Sequence, residues 1–275
     1  MLLGGYSRGM FTIERATEPA RRAQRWFNIG FRFMRRPVLT LDHVILRSPE
    51  PRATLDELSA RLGAPVLVAV QEVAGIESGI LRTAAVDIEV LGIGAESPPD
   101  VEGYGLGFTA DATLEECAAA LRAAGFPTSA PVRATAAGRA WRALHVHGLL
   151  PGPFPVPTTT RPTGVRDRLV GVASEWAGRV PAVARHATRD PGGSMVVVTE
   201  YEFDAENWRA TVGHGPGVIA IEVGTGDFSW TGLSIGPGPL VLDATGPIGV
   251  RRIVLEGEGD GFELGSVSFA FEPAG

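Results

Sequence analysis

The sequence predicts an α+β protein: two βαβββ modules in tandem, followed by an extra β-rich C-terminal region. Three observations carry that prediction. Short apolar runs outnumber helical stretches, and the order strand, helix, three strands occurs twice. The end of the first helix, Leu62-Gly63-Ala64-Pro65, is mirrored after the second by Ala124-Gly125-Phe126-Pro127. Glycine and proline number 36 and 21 in 275 residues, without a collagen-like period, which suits many turns between short strands.

In the first module, Leu41 to Arg47 (LDHVILR) reads as a strand. Ser48-Pro49-Glu50-Pro51 opens a helix over Thr54 to Leu62, with Gly63 as its C-cap. Pro65–Val70, Gly79–Thr83 and Val86–Leu91 supply three strands. The second module begins with Tyr104–Ala110. Thr113 caps a helix running through Ala124 and stopped by Gly125. Val132–Ala134, Ala140–Val146 and Met195–Phe203 complete it, the last two separated by an insert, 151–193. The insert opens Pro-rich, as a loop or lid does, and holds one helix around Val165–Trp176. In the tail, Val218–Val223, Leu240–Leu242, Arg251–Leu255 and Ser266–Phe271 read as strands, and Gly217–Ile221 resembles a degenerate third copy of a module's first strand. The expected divisions are 1–38, 39–204 (modules 39–95 and 103–204) and 205–275.

Composition excludes several classes. No run approaches about 18 consecutive apolar residues, so no membrane-spanning helix is expected. Cys117 is the only cysteine, which removes disulfide frameworks and cysteine zinc sites. A net charge of −6 argues against nucleic acid as a partner. All 25 basic residues are Arg, which reads as codon bias rather than chemistry. Residues 1–40 carry eight Arg against only Glu14 and Glu18, without the apolar core of a secretory signal. That stretch reads as a disordered extension or the product of an upstream start codon, with partner docking a third option. The expectation is a cytoplasmic monomer or homodimer acting on a small molecule.

Gly232-Leu233-Ser234-Ile235-Gly236 matches a nucleophile-elbow pattern, but that motif needs a helix after the serine and Pro237-Gly238-Pro239 forbids one. It reads as a turn. His145 and His147 alternate with Val146, so on a strand both rings would share a face and could offer paired imidazoles. Solvent-facing histidines would give the same pattern. Cys117 suits a small core position, and Trp141, Trp176, Trp208 and Trp230 suit either a pocket wall or packing.

Paired modules with Leu41-Asp42-His43-Val44-Ile45-Leu46, Val86-Asp87-Ile88-Glu89-Val90-Leu91, Tyr104-Gly105-Leu106-Gly107-Phe108 and Val198-Thr199-Glu200-Tyr201 resemble the vicinal oxygen chelate superfamily of glyoxalases, extradiol dioxygenases and glyoxalase-like domains. The resemblance covers residues 39–204. It implies eight strands curved into an open cup with a divalent metal inside (Zn, Fe, Mn or Ni), held by His43, Glu89 and Glu200. It also implies Glu200 as the catalytic group moving a proton. The place of a fourth ligand falls on Leu106 or a neighbouring glycine, on a strand without His, Asp or Glu. Strict alternation would put His43 on a face with Leu41 and Ile45, Glu89 with Asp87 and Leu91, and Glu200 with Val196, Val198 and Glu202. A hydrogen-bonded core histidine and a charged strand edge account for the same residues. Two functions follow from the resemblance: a metal-dependent lyase, isomerase or dioxygenase acting on a small oxygenated molecule, or a metal-free protein that sequesters an apolar one.

Overall fold

The computed structural model describes residues 36–73, 76–92, 98–147, 149–150, 195–226, 230 and 233–273. The predicted extension up to residue 35 and the 151–193 insert with its helix lie outside them. The first module is β1 (Val38–Arg47), α1 (Pro51–Leu62), β2 (Val66–Val73), β3 (Ile76–Leu81) and β4 (Asp87–Gly92). The second is β5 (Glu102–Ala110), α2 (Leu114–Ala123), β6 (Val132–Ala136), β7 (Arg139–His145) and β8 (Met195–Tyr201). A short helix, α3 (Ala205–Arg209), leads to the tail strands β9 (Val218–Gly224), β10 (Ser234–Ile235), β11 (Leu240–Asp243), β12 (Gly249–Glu256), β13 (Phe262–Leu264) and β14 (Val267–Glu272).

Both helices start as their sequences dictate. Pro51 sits in the first turn of α1, where its fixed φ fits and its missing N–H costs nothing. The helix therefore begins before the predicted Thr54. Gly63 closes it in the left-handed region. Thr113 and Glu116 form a reciprocal capping box at the start of α2. Leu55, Leu58 and Leu62 of α1, with Leu114, Cys117 and Leu121 of α2, are buried in the same core as Leu39, Leu41, Val44 and Leu46 of β1.

The module strands form one sheet in the order β2-β3-β4-β1-β5-β8-β7-β6. β1 and β5 pair antiparallel at its centre, each flanked by the parallel last strand of its own module, β4 or β8. The sheet curls until its two edge strands, β2 and β6, approach each other. One face packs on the helices. The other encloses a cavity. This is the paired-module cup expected from the sequence.

The tail sheet has the order β11-β9-β12-β14-β13. Its first four strands repeat the parallel, antiparallel, parallel pattern of β4-β1-β5-β8, with no helix among them. The tail thus holds two helix-free strand pairs, where the sequence suggested one degenerate module. Ser234–Ile235, read as a turn, instead pairs in parallel with Val38–Leu39, and no helix follows Ser234. Among the described residues no helix is long and apolar enough to cross a membrane.

The tail packs against the start of β5, where a Cβ on Gly103 would lie 1.9 Å from the Val250 carbonyl oxygen. Both parties are backbone, so neither can swing aside. Gly103→Ala is expected to cost about 1–3 kcal/mol through overpacking, read from the urea midpoint of unfolding. An unchanged midpoint would refute this close approach.

Candidate functional site

The cup encloses a cavity of about 480 Å³ lined by both modules. Leu67, Val70 and Ile80 line it from the first module, and Val132, Trp141 and Val197 from the second. α3 adds Trp208 and Arg209. Such a mostly apolar wall with a few converging polar groups is the usual make-up of a small-molecule site.

Those polar groups converge because β1 carries a bulge. Leu39 and Leu41 belong to the helix-side core, and so do Val44 and Leu46. The inward parity therefore changes between residues 41 and 44, where the β1–β5 register also shifts. Two consecutive residues, Asp42 and His43, consequently line the cavity together. His43 shares its face with Ile45 as expected, but not with Leu41, because strict alternation fails at the bulge.

Around the bulge runs a continuous chain of hydrogen bonds and ion pairs. His43 Nδ1 lies 2.8 Å from Asp42 Oδ2, and Nε2 lies 3.3 Å from Glu89 Oε2. Tyr201 Oη donates to Asp42 Oδ2 at 2.7 Å, and Ser78 Oγ donates to Glu89 Oε1 at 2.7 Å. Arg209 spans two carboxylates: Nη2 to Asp42 Oδ1 at 2.6 Å and Nε to Asp87 Oδ2 at 2.8 Å. Arg82 completes Asp87 at 2.9 Å. Asp42 and Asp87 are 6% and 2% exposed, depths at which an ionised carboxylate requires partners.

Gly107 stands opposite His43 on β5, and a Cβ there would fall 2.1 Å from the imidazole. The ring thus lies against bare backbone. Of the two places expected for a fourth ligand, Leu106 is buried in the helix-side core, and the neighbouring glycine, Gly107, is the one that faces the imidazole.

The structure brings together two of the three predicted residues. His43 and Glu89 meet in the cavity with Asp87 and Leu91, as alternation suggested. Glu200 does not join them. It shares the opposite face of β8 with Val196 and Val198, where Arg142 Nη1 holds it at 3.0 Å and also pairs with Glu115 of α2. On β8 the cavity receives Val197, Thr199 and Tyr201. The reason is parity: Val196, Val198 and Glu200 follow the core face, and only odd-numbered residues point inward. Glu202 pairs with Arg133 on the exterior.

The donor set consequently does not fit the implied metal. Two donors, His43 and Glu89, are already engaged with each other, and the facing second-module positions hold Gly107 and Thr199. Among the described residues no group of three His, Cys, Asp or Glu could hold an ion. His145 lines the cavity, whereas His147 follows the end of β7, so they do not act as a pair. Trp141 and Trp208 line the cavity, Trp230 packs on Phe108 with centroids 6.4 Å apart, and Trp176 lies outside the described residues. Asp42, Tyr201 and Arg209 were legible only as single residues. The adjacent Asp42-His43 pair was the one hint, and it becomes a pair on one face only through the bulge.

Burial alone would raise the Asp42 pKa. The hydrogen bond and charge of His43, the charge of Arg209 and the Tyr201 hydroxyl outweigh burial and hold it well below its ordinary 3.8. Burial opposes charge on His43 as well, but Asp42, Glu89 and Asp87 together raise it above 6.5. The signs follow by linkage. Asp42 contributes stability that is complete above pH 3.8 and lost as pH falls through its folded value. His43 contributes stability that is complete below pH 6.5 and lost as pH rises through its raised value. Unfolding followed across pH should therefore show maximal stability between those limits. Asp42→Asn should cost about 3 kcal/mol or more, because it leaves Arg209 and His43 without their shared carboxylate. It should also flatten the acid limb. An unchanged pH profile in that variant would show that the network is not electrostatically coupled.

No family model matches the sequence, and no curated protein does. Among solved structures, a hypothetical protein from Staphylococcus aureus aligns with TM-score 0.54 at 8% identity, over 86% of this chain and 100% of that one. Catechol 2,3-dioxygenase aligns with TM-score 0.42 at 13% identity, over 81% of this chain and 72% of that one. Methylmalonyl-CoA epimerase from Mycobacterium tuberculosis aligns with TM-score 0.34 at 13% identity, over 61% and 91%. The two βαβββ modules of this chain, closed into one curled sheet, form the paired-module cup of the glyoxalase/dioxygenase fold. At these identities the likeness concerns the fold, and function rests on the site.

Proposed function

We propose that this protein binds a small, largely apolar molecule in its cup without a metal ion, the second of the two functions that the resemblance implies. The observation that carries the reading is the cavity of about 480 Å³, whose walls are apolar and whose would-be metal positions are occupied by the His43–Glu89 pair, Gly107 and Thr199. Burial of ligand surface against these walls supplies affinity at about 25 cal/mol per Å². The His43–Glu89 pair, both side chains partly accessible to the cavity, offers one hydrogen-bonding end that orients the ligand.

The rival reading is a metal-dependent lyase, isomerase or dioxygenase using His43, Glu89 and Glu200. It requires Glu200 to leave Arg142 and reach the other face of β8, which the pleat of a strand does not permit.

Elemental analysis of protein purified without chelator or affinity nickel, then incubated with Zn, Mn, Fe and Ni salts, separates the two. Less than about a tenth of an equivalent of any metal is expected, in wild type and His43→Ala alike. Near-stoichiometric metal that disappears in His43→Ala would overturn the metal-free reading.

A further inference from the structure

The cavity also holds a charged side chain that is not part of the network around the bulge. Arg139 opens β7 and lines the cavity. Its guanidinium lies over the rings of Trp208 and Phe203, 5.1 and 5.9 Å from their centroids. Those two rings pack edge to face, with centroids 5.3 Å apart. The neighbouring arginines on these strands are committed: Arg133 to Glu202 and Arg142 to Glu115 and Glu200. The other cavity arginine, Arg209, is held by Asp42 and Asp87. Arg139 has no carboxylate within ion-pair distance among the described residues, and its one hydrogen bond is a long one, 3.4 Å to the Ala137 carbonyl.

We infer that Arg139 is the anchor for a carboxylate on the bound molecule, so that the ligand is an amphipathic organic acid. The inference deepens the metal-free binding reading and rests on it. The two ring contacts hold the guanidinium in the cavity wall and engage none of its N–H donors in an ion pair, and a guanidinium with free donors takes a carboxylate through two parallel hydrogen bonds. The apolar body then lies along Trp141, Ala134 and Val132, which line the same cavity. Asp42, Asp87 and Glu89 are already paired with Arg209, Arg82 and His43, so among the described residues of the cavity Arg139 is the arginine left to take the carboxylate. A single arginine without a second free cation suits a singly charged group better than a phosphate.

Isothermal titration with two acid and amide pairs tests this: decanoate against decanamide, and naphthalene-2-carboxylate against its carboxamide. Wild type should bind each acid at least about tenfold more tightly than its amide, the equivalent of one charge-assisted contact. Arg139→Gln should lose that preference. Arg139→Lys, which keeps the charge without the fork, should retain part of it. Thermal melts of both variants should fall within a few degrees of wild type, since Arg139 makes no ion pair among the described residues and contributes only its ring contacts. Equal binding of acid and amide by wild type, or a preference that survives in Arg139→Gln, overturns the carboxylate anchor and leaves the cup reading standing. Failure of both acids and both amides to bind overturns the cup reading together with the anchor.

Discussion

The bulge in β1 is the constraint on which the site depends. An unbroken strand would send Asp42 and His43 to opposite faces, one into the helix-side core and the other into the cup. The extra residue puts both into the cup and lets Asp42 accept from His43, Tyr201 and Arg209 at once. Three elements far apart in the chain, β1, β8 and α3, are thereby fixed to one carboxylate. α3 is only five residues long and contributes no buried side chain, so these ion pairs locate it more than packing does. Its position in turn sets Trp208 in the cavity wall.

On the metal-free reading, this arrangement sets the cup apart from a metal site although its entry strand resembles one. A metal needs several donors held apart and oriented toward a common point. Here each donor is turned toward another protein group: His43 toward Asp42 and Glu89, Glu89 also toward Ser78, Asp42 toward Arg209. Gly107 completes the change, because its missing side chain provides the space in which the imidazole lies. The network balances its own charge, and most of the remaining wall is apolar.

The two sheets share one strand logic. In both, the central pair is antiparallel and each member carries a parallel neighbour. Only the first sheet has helices to cover its outer face, and with them the length and curvature to enclose a cavity. The tail sheet serves as packing for β5, held by the backbone contact at Gly103 and by Ser266 donating to the Val101 carbonyl at 2.8 Å.

Local signals determined the module order, both helices, the Thr113 cap, the Gly63 stop and the inward face of β4, because each is written in neighbouring residues: an apolar period, a capping side chain, a glycine. His43 and Glu89 were legible for the same reason. Tertiary structure decided the rest. The bulge depends on how β1 pairs with β5, and nothing in LDHVILR marks where the register shifts. The outward turn of Glu200 depends on which face of β8 the helices cover. Tyr201 and Arg209 reach Asp42 from 159 and 167 residues away, a distance over which no periodicity carries information. Side-chain alternation states which residues share a face, but packing alone selects the face that becomes the site.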